Sequence, residues 1–212
     1  MAAKRANNRD RDLNRTREKI LAAALGEFSA GGFAGARVDT IARRARVNKR
    51  MLYYCFGAKQ DLYREVLRRK IDERADWIDS TPDRFADALR HLYKLGGTDL
   101  EFIRLMEWEA IDGGRGKLIA GEERRALFER AIARLHRSQR DGFLPKRIDL
   151  MQLFISMLAL TLFPLVMPQM IRLITGMEPN DERFMRKRRA FLRGWGELMS
   201  NRALASNPER PP

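Results

Sequence analysis

Apolar residues recur along this chain at three- and four-residue intervals, and no strand-like alternation persists. The pattern predicts an all-α protein. A first helix is expected from about Arg15 to Ala30, with Ile20, Leu21, Ala24, Leu25 and Phe28 on one face. Gly31-Gly32 should stop it, because glycine enters the left-handed C-cap conformation without penalty. A short helix over 38–45 follows, then a second over 49–56, then a longer one over 59–78. Further helices are expected over 83–95, 99–111, 122–140, 149–163, 168–175 and 181–203. Gly96-Gly97, Gly113-Gly114, Gly142, Pro164 and Gly176 punctuate them. Residues 1–14 are polar and predict a flexible basic arm, and 205–212 predict a flexible tail.

The run 150–171, LMQLFISMLALTLFPLVMPQMI, carries no charge and has the length of a bilayer span. Pro164 is expected to cut it, leaving 14 residues, and Gln152, Ser156 and Gln169 would sit in lipid. The run therefore predicts a core or interface helix and no membrane span. A helix that is apolar all round needs cover on every side, and a second copy of the chain is one source of it. The last helix offers a matching stripe for a dimer interface in Phe191, Leu192, Trp195, Leu198 and Met199.

Charge changes this picture by its position. The 212 residues carry a formal net charge of +14, of which residues 1–70 hold +11 and residues 71–212 only +3. The first third is thus the electrostatic footprint for an anionic partner. One cysteine, Cys55, excludes an internal disulfide and fits a reducing cytoplasm, and MAAKRANNRDRDLNRTR has no apolar secretory core. Two distant histidines, His91 and His136, offer no zinc set, and no other cofactor is expected. No nucleophile–base pair, phosphate-cradling glycine loop or paired-carboxylate motif stands out, so an enzyme is not expected.

The chemistry concentrates in RVNKRMLYYCFGAK, residues 46–59, with four basic side chains, three aromatics and no acid. Asn48 suits the N-cap of a helix. On a helical wheel Leu52, Cys55 and Phe56 share one side, Lys49, Arg50, Tyr53 and Tyr54 the other, with Met51 at the border. Cations attract phosphates, and a phenol offers a hydroxyl and a flat face for a thymine methyl. A short helix, a tight turn and this helix make a helix-turn-helix. Lys59 stands where the next helix begins and free N–H groups favour phosphate. The competing reading is a solvated basic turn. A basic membrane-surface protein and a helical-bundle enzyme are the alternatives from other classes.

Residues 16–67, TREKILAAALGEFSAGGFAGARVDTIARRARVNKRMLYYCFGAKQDLYREVL, resemble the DNA-binding domain of the TetR family of bacterial regulators. The likeness lies in ILAAA, then F..GGF, IA..A.V and LYYCF..K..LY, in that family's order and spacing. It covers about a quarter of the chain. The resemblance implies a three-helix DNA-binding domain over 15–70, joined to a helical ligand-binding and dimerisation bundle over 71–204. It implies that Lys49, Arg50 and Tyr53 meet bases or phosphates, that Tyr54 and Lys59 hold the DNA backbone, and that Leu52 and Phe56 are core. It implies a homodimer on a double-stranded, near-palindromic operator, released when a small apolar or amphipathic effector swings the 59–78 helix.

Three residues depart from the family pattern. Arg46 stands at a turn position often glycine, Arg37 where a Ser or Thr cap is common, and Cys55 where histidine is frequent. Phe102, Met106, Trp108, Phe154 and Met157 are candidates for the effector pocket, although a Met or aromatic at helical spacing is more often plain core.

Overall fold

Helix α1 (Ala2–Gly35) begins thirteen residues before the expected start at Arg15. The backbone of 2–14 is helical where an irregular arm was expected, since Ala, Lys and Arg are good helix formers and nothing before Gly26 breaks the run. The structure, a computed structural model, describes residues 2–111 and 118–205, and the side chains of 10–111 and 118–200. The expected tail beyond Ala205 and the Gly113-Gly114 break lie outside the described residues. The other helices are α2 (Val38–Ala45), α3 (Lys49–Phe56), α4 (Lys59–Asp79), α5 (Phe85–Thr98), α6 (Leu100–Ile111), α7 (Gly121–Arg140), α8 (Leu150–Val166), α9 (Pro168–Thr175) and α10 (Glu182–Ala205). All nine fall within three residues of the bounds expected from periodicity and punctuation. No strand occurs among the described residues.

The chain divides into two compact units, Met1–Asp72 with Arg104–Gly121, and Glu73–Ile103 with Glu122–Pro212. In the first unit, Gly32 breaks α1 with φ 66° and ψ −177°, a region open in practice to glycine alone. Ile20, Ala24 and Phe28 are fully buried, and Phe28 meets Tyr63 edge-on with centroids 4.8 Å apart. α1 packs on α2, and α2 on α3. The second half of α6 groups with this unit, where the ligand domain was expected to hold it. Trp108 gives the reason. Its indole Nε1 donates to the Ser29 carbonyl at 3.2 Å, and its ring fills the space beside Gly32 that a Cβ would occupy.

In the second unit α5 packs against α8 and α10, and α8 against α9. Phe85, Leu89, Tyr93, Leu153, Met157 and Leu192 form the buried core, with the Trp195 ring 5.8 Å from that of Phe85. Asp149 caps α8, accepting from the backbone N–H of Met151 and Gln152, each at 2.9 Å. α8 runs through Pro164 to Val166, which corrects the expected stop at Phe163. Proline withdraws the N–H that would have bonded the Leu160 carbonyl. The Arg188 guanidinium of α10 donates to that carbonyl instead, so the helix continues without an orphan acceptor. No single helix among the described residues is long and apolar enough to cross a membrane; α8 and α9 reach that composition together but are bent by 82°.

Candidate nucleic-acid interface and interior cavity

The turn between α2 and α3 closes through the backbone. Arg46 is left-handed, at φ 57° and ψ 42°, and its N–H bonds the Arg43 carbonyl at 3.1 Å while Val47 N–H bonds that of Ala42 at 3.0 Å. Arginine in place of glycine there costs about 1–2 kcal/mol. Arg37 leaves α2 without a side-chain cap; its own N–H donates to Glu27 Oε1 at 3.3 Å. Asn48 caps α3, its Oδ1 accepting from Met51 N–H at 2.7 Å.

α3 presents the two faces read from its sequence. Leu52 and Phe56 are buried. Lys49, Arg50, Tyr53 and Tyr54 are exposed, Tyr53 by 47% and Tyr54 by 74%. At the C-terminal end of α3, Arg17 of α1 donates to the Cys55 carbonyl and lays its guanidinium 4.3 Å from the Phe56 ring centroid. A cation there complements the negative end of the helix dipole. Burial pushes the Cys55 thiol above its ordinary pKa.

Two of the cations are tethered. Lys49 Nζ lies 2.6 Å from Asp39 Oδ1, and that hydrogen bond holds the ammonium above the ordinary lysine pKa. Lys59 donates to the Ala34 carbonyl at 3.4 Å and sits 4.8 Å from the Phe33 ring centroid. At the start of α4, Ala58 N–H already donates to Asp61 Oδ2 at 3.1 Å, so one of the N–H groups expected to face a phosphate is taken by the chain itself. Arg50 and Arg43 are exposed with no carboxylate partner among the described residues. Sequence reasoning missed Asp39 and Arg17, because partners ten and thirty-eight residues away obey no local spacing rule.

An exposed, basic and phenolic helix fixed by a cap, a buried apolar side and an arginine clamp has the charge and rings that a helix in a DNA groove requires. Comparison with known proteins agrees. Residues 20–66 match the model for bacterial regulatory proteins of the tetR family, and residues 83–194 match the tetracyclin repressor-like C-terminal domain. The HTH-type transcriptional repressor SCO4008 of Streptomyces coelicolor is 32% identical over 166 residues, which cover 78% of this chain and 86% of that one. This chain belongs to the TetR family. It is a DNA-binding transcriptional regulator, and its role is regulatory rather than catalytic. The HTH-type transcriptional repressor NicS of Pseudomonas putida is 42% identical over 67 residues, or 32% of each chain. The crystal structure of the transcriptional regulator SCO4942 of Streptomyces coelicolor aligns over 87% of this chain and 97% of that one, with a TM-score of 0.72 and 27% identity.

The second unit of this TetR-family chain has a cavity of about 140 Å³, partly open to solvent, between α4, α5, α7 and α8. Of the expected pocket residues, Phe154 and Met157 line it. Phe102, Met106 and Trp108 do not. Phe102 lies under the Arg74 guanidinium at 3.6 Å, Met106 belongs to the part of α6 that groups with the first unit, and Trp108 packs on Gly32.

The expected dimer stripe divides. Leu192 is fully buried within the chain, and Trp195 and Met199 pack against the same core, so these three face inward. The reason is geometric: positions 192, 195 and 199 share the face of α10 that α5 covers. Phe191 and Leu198 point outward, 51% and 65% exposed. α8 likewise exposes Met151, Ile155 and Phe163 while burying Leu153 and Met157.

Proposed function

We propose that the chain represses transcription as a homodimer on a near-palindromic operator and leaves DNA when a small molecule enters the cavity of the second unit. The observation that carries this reading is α3, with its apolar side anchored and Lys49, Arg50, Tyr53 and Tyr54 turned to solvent. Lys49, Arg50 and Tyr53 meet bases and phosphates of the major groove, and Asn48, Tyr54 and Lys59 serve the backbone. Two such helices reach successive major grooves when their centres stand about 34–36 Å apart.

The second copy docks on the outward stripes of α8 and α10, where Met151, Ile155, Phe191 and Leu198 leave apolar area in water. Helix α4 supplies the link, because its first half belongs to the DNA-binding unit and its second half lines the cavity. The effector acts by binding better to an α4 arrangement that does not fit the operator. The repressor name of SCO4008 supports the sign of regulation.

The test is a footprint of the purified protein on the DNA flanking its own gene, with and without lipophilic ligands and at rising salt. A protected near-palindrome whose occupancy falls steeply with salt is expected, because phosphate contacts release counterions. Protection that ignores salt, or a binding unit of one chain per site, overturns the reading.

A further inference from the structure

The cavity of the second unit has walls that say what it takes. Trp77, Leu127, Phe128, Phe154, Met157 and Leu158 surround it with rings, branched carbons and a thioether. Its volume of about 140 Å³ leaves room for about one small ring.

Polar groups do reach the wall, but they are already committed to one another. Arg134 donates to the Asp79 and Thr81 carbonyls and to Asp83 Oδ1 at 2.9 Å. Ser138 Oγ donates to the Asp83 carbonyl at 3.2 Å, and Thr81 Oγ1 to that of Trp77 at 2.9 Å. Arg74 donates to Asp99 Oδ2 at 2.6 Å, and both of these side chains are largely buried. The Arg74 guanidinium also covers the Phe102 and Trp77 rings, at 3.6 and 4.7 Å from their centroids.

Each class of charged ligand therefore meets a cost. A carboxylate competes with Asp83 for Arg134 or with the buried Asp99 for Arg74, and displacing the second leaves a carboxylate unpaired in the interior. An ammonium meets two guanidinium groups, and Arg74 already covers the Trp77 ring. A neutral ring asks only for apolar contact, which the remaining wall supplies.

We propose that the effector cavity selects neutral aromatic molecules of about one substituted ring, and excludes their carboxylate and ammonium analogues. This rests on the reading of the cavity as the effector site. The experiment measures binding of toluene, benzoate and benzylammonium to the full-length protein at pH 7, without DNA, by calorimetry and saturation-transfer NMR. Toluene is expected to bind at least tenfold more tightly than either ion. Ala131→Phe, which fills the cavity from α7, should abolish that binding, and Phe128→Ala, which removes a half-exposed wall ring, should weaken it severalfold. Circular dichroism reports whether each variant is folded, and Phe128→Ala keeps the test alive if Ala131→Phe is not.

Benzoate binding as tightly as toluene, with that affinity lost in Arg134→Gln, would make the site an anion site and overturn the proposal. So would no binding of toluene, or toluene binding unchanged in both wall variants. A separate gel-shift arm adds toluene to the operator complex. Toluene that binds the protein but leaves the complex intact upholds the ligand class and refutes the effector role.

Discussion

Gly196 sits where α10 crosses α5, and replacing it by alanine is a sharp test of that seam. A Cβ there would lie 2.4 Å from Ala86 Cα, 2.8 Å from its Cβ and 2.9 Å from its N. Two of these atoms are backbone, so no side chain can rotate out of the way. Carbon atoms prefer about 3.5–4.0 Å, so α10 must retreat by roughly 1 Å. Retreat loosens Leu192 and Trp195 from Phe85 and their neighbours, the centre of this unit's core. Overpacking of this kind costs about 1–3 kcal/mol, and an unyielding backbone neighbour puts Gly196 near the top of the range. Alanine recovers about 1 kcal/mol through its better helix propensity. The net loss is then about 2 kcal/mol, or about 4–8 °C in Tm for a chain of this length. Gly194 is the internal control, because a Cβ there meets nothing within 4 Å and Gly194→Ala should gain up to about 1 kcal/mol. Thermal and urea melts followed by circular dichroism, at one fixed protein concentration, compare the two with the parent. A Gly196→Ala protein as stable as Gly194→Ala would refute the packing argument.

Other substitutions separate the roles of neighbouring residues. Leu192→Ala should destabilise the fold by about 2–5 kcal/mol in a denaturant melt, as a fully buried leucine does. Leu198→Asp should leave the melt of the single chain almost unchanged and shift the protein towards monomer in analytical ultracentrifugation. Tyr53→Ala and Lys49→Ala should each weaken operator binding by about tenfold or more in a gel shift, with circular dichroism unchanged. Asp39→Asn removes a carboxylate from the same face and frees Lys49, so operator affinity should rise at low salt. Arg188→Met should cost about 1–3 kcal/mol in the same melts by leaving the Leu160 carbonyl without a donor. Pairing it with Pro164→Ala, which restores the backbone N–H, should recover much of that loss.

What the amino-acid order made legible was whatever depends on nearest neighbours along the helix. Asn48 as a cap, Gly32 as a break and Leu52 opposite Tyr53 all follow from local geometry, and all are found. The errors share one cause, a partner far away in the chain. Pro164 reads as a stop until Arg188, twenty-four residues on, supplies the missing hydrogen bond. Trp108 reads as pocket lining until the small Gly32 gives its ring a place elsewhere. The stripe on α10 reads as one surface, because a helical wheel does not say that α5 covers Leu192 and leaves Leu198 in water.

The same separation of near from far explains how one chain carries two tasks. The contacts that shape α3 lie within its own unit: a cap three residues away, a turn closed by its own carbonyls, an arginine from α1. The cavity wall is held by long-range polar bonds instead, with Arg130 and Arg134 of α7 gripping Asp79 at the end of α4 and Thr81 and Asp83 just beyond it. A ligand that parts α7 from that segment by a fraction of an ångström breaks several bonds at once. On the proposed function, that grip is where a ligand in the cavity would bias the end of α4, the helix that the DNA-binding unit shares.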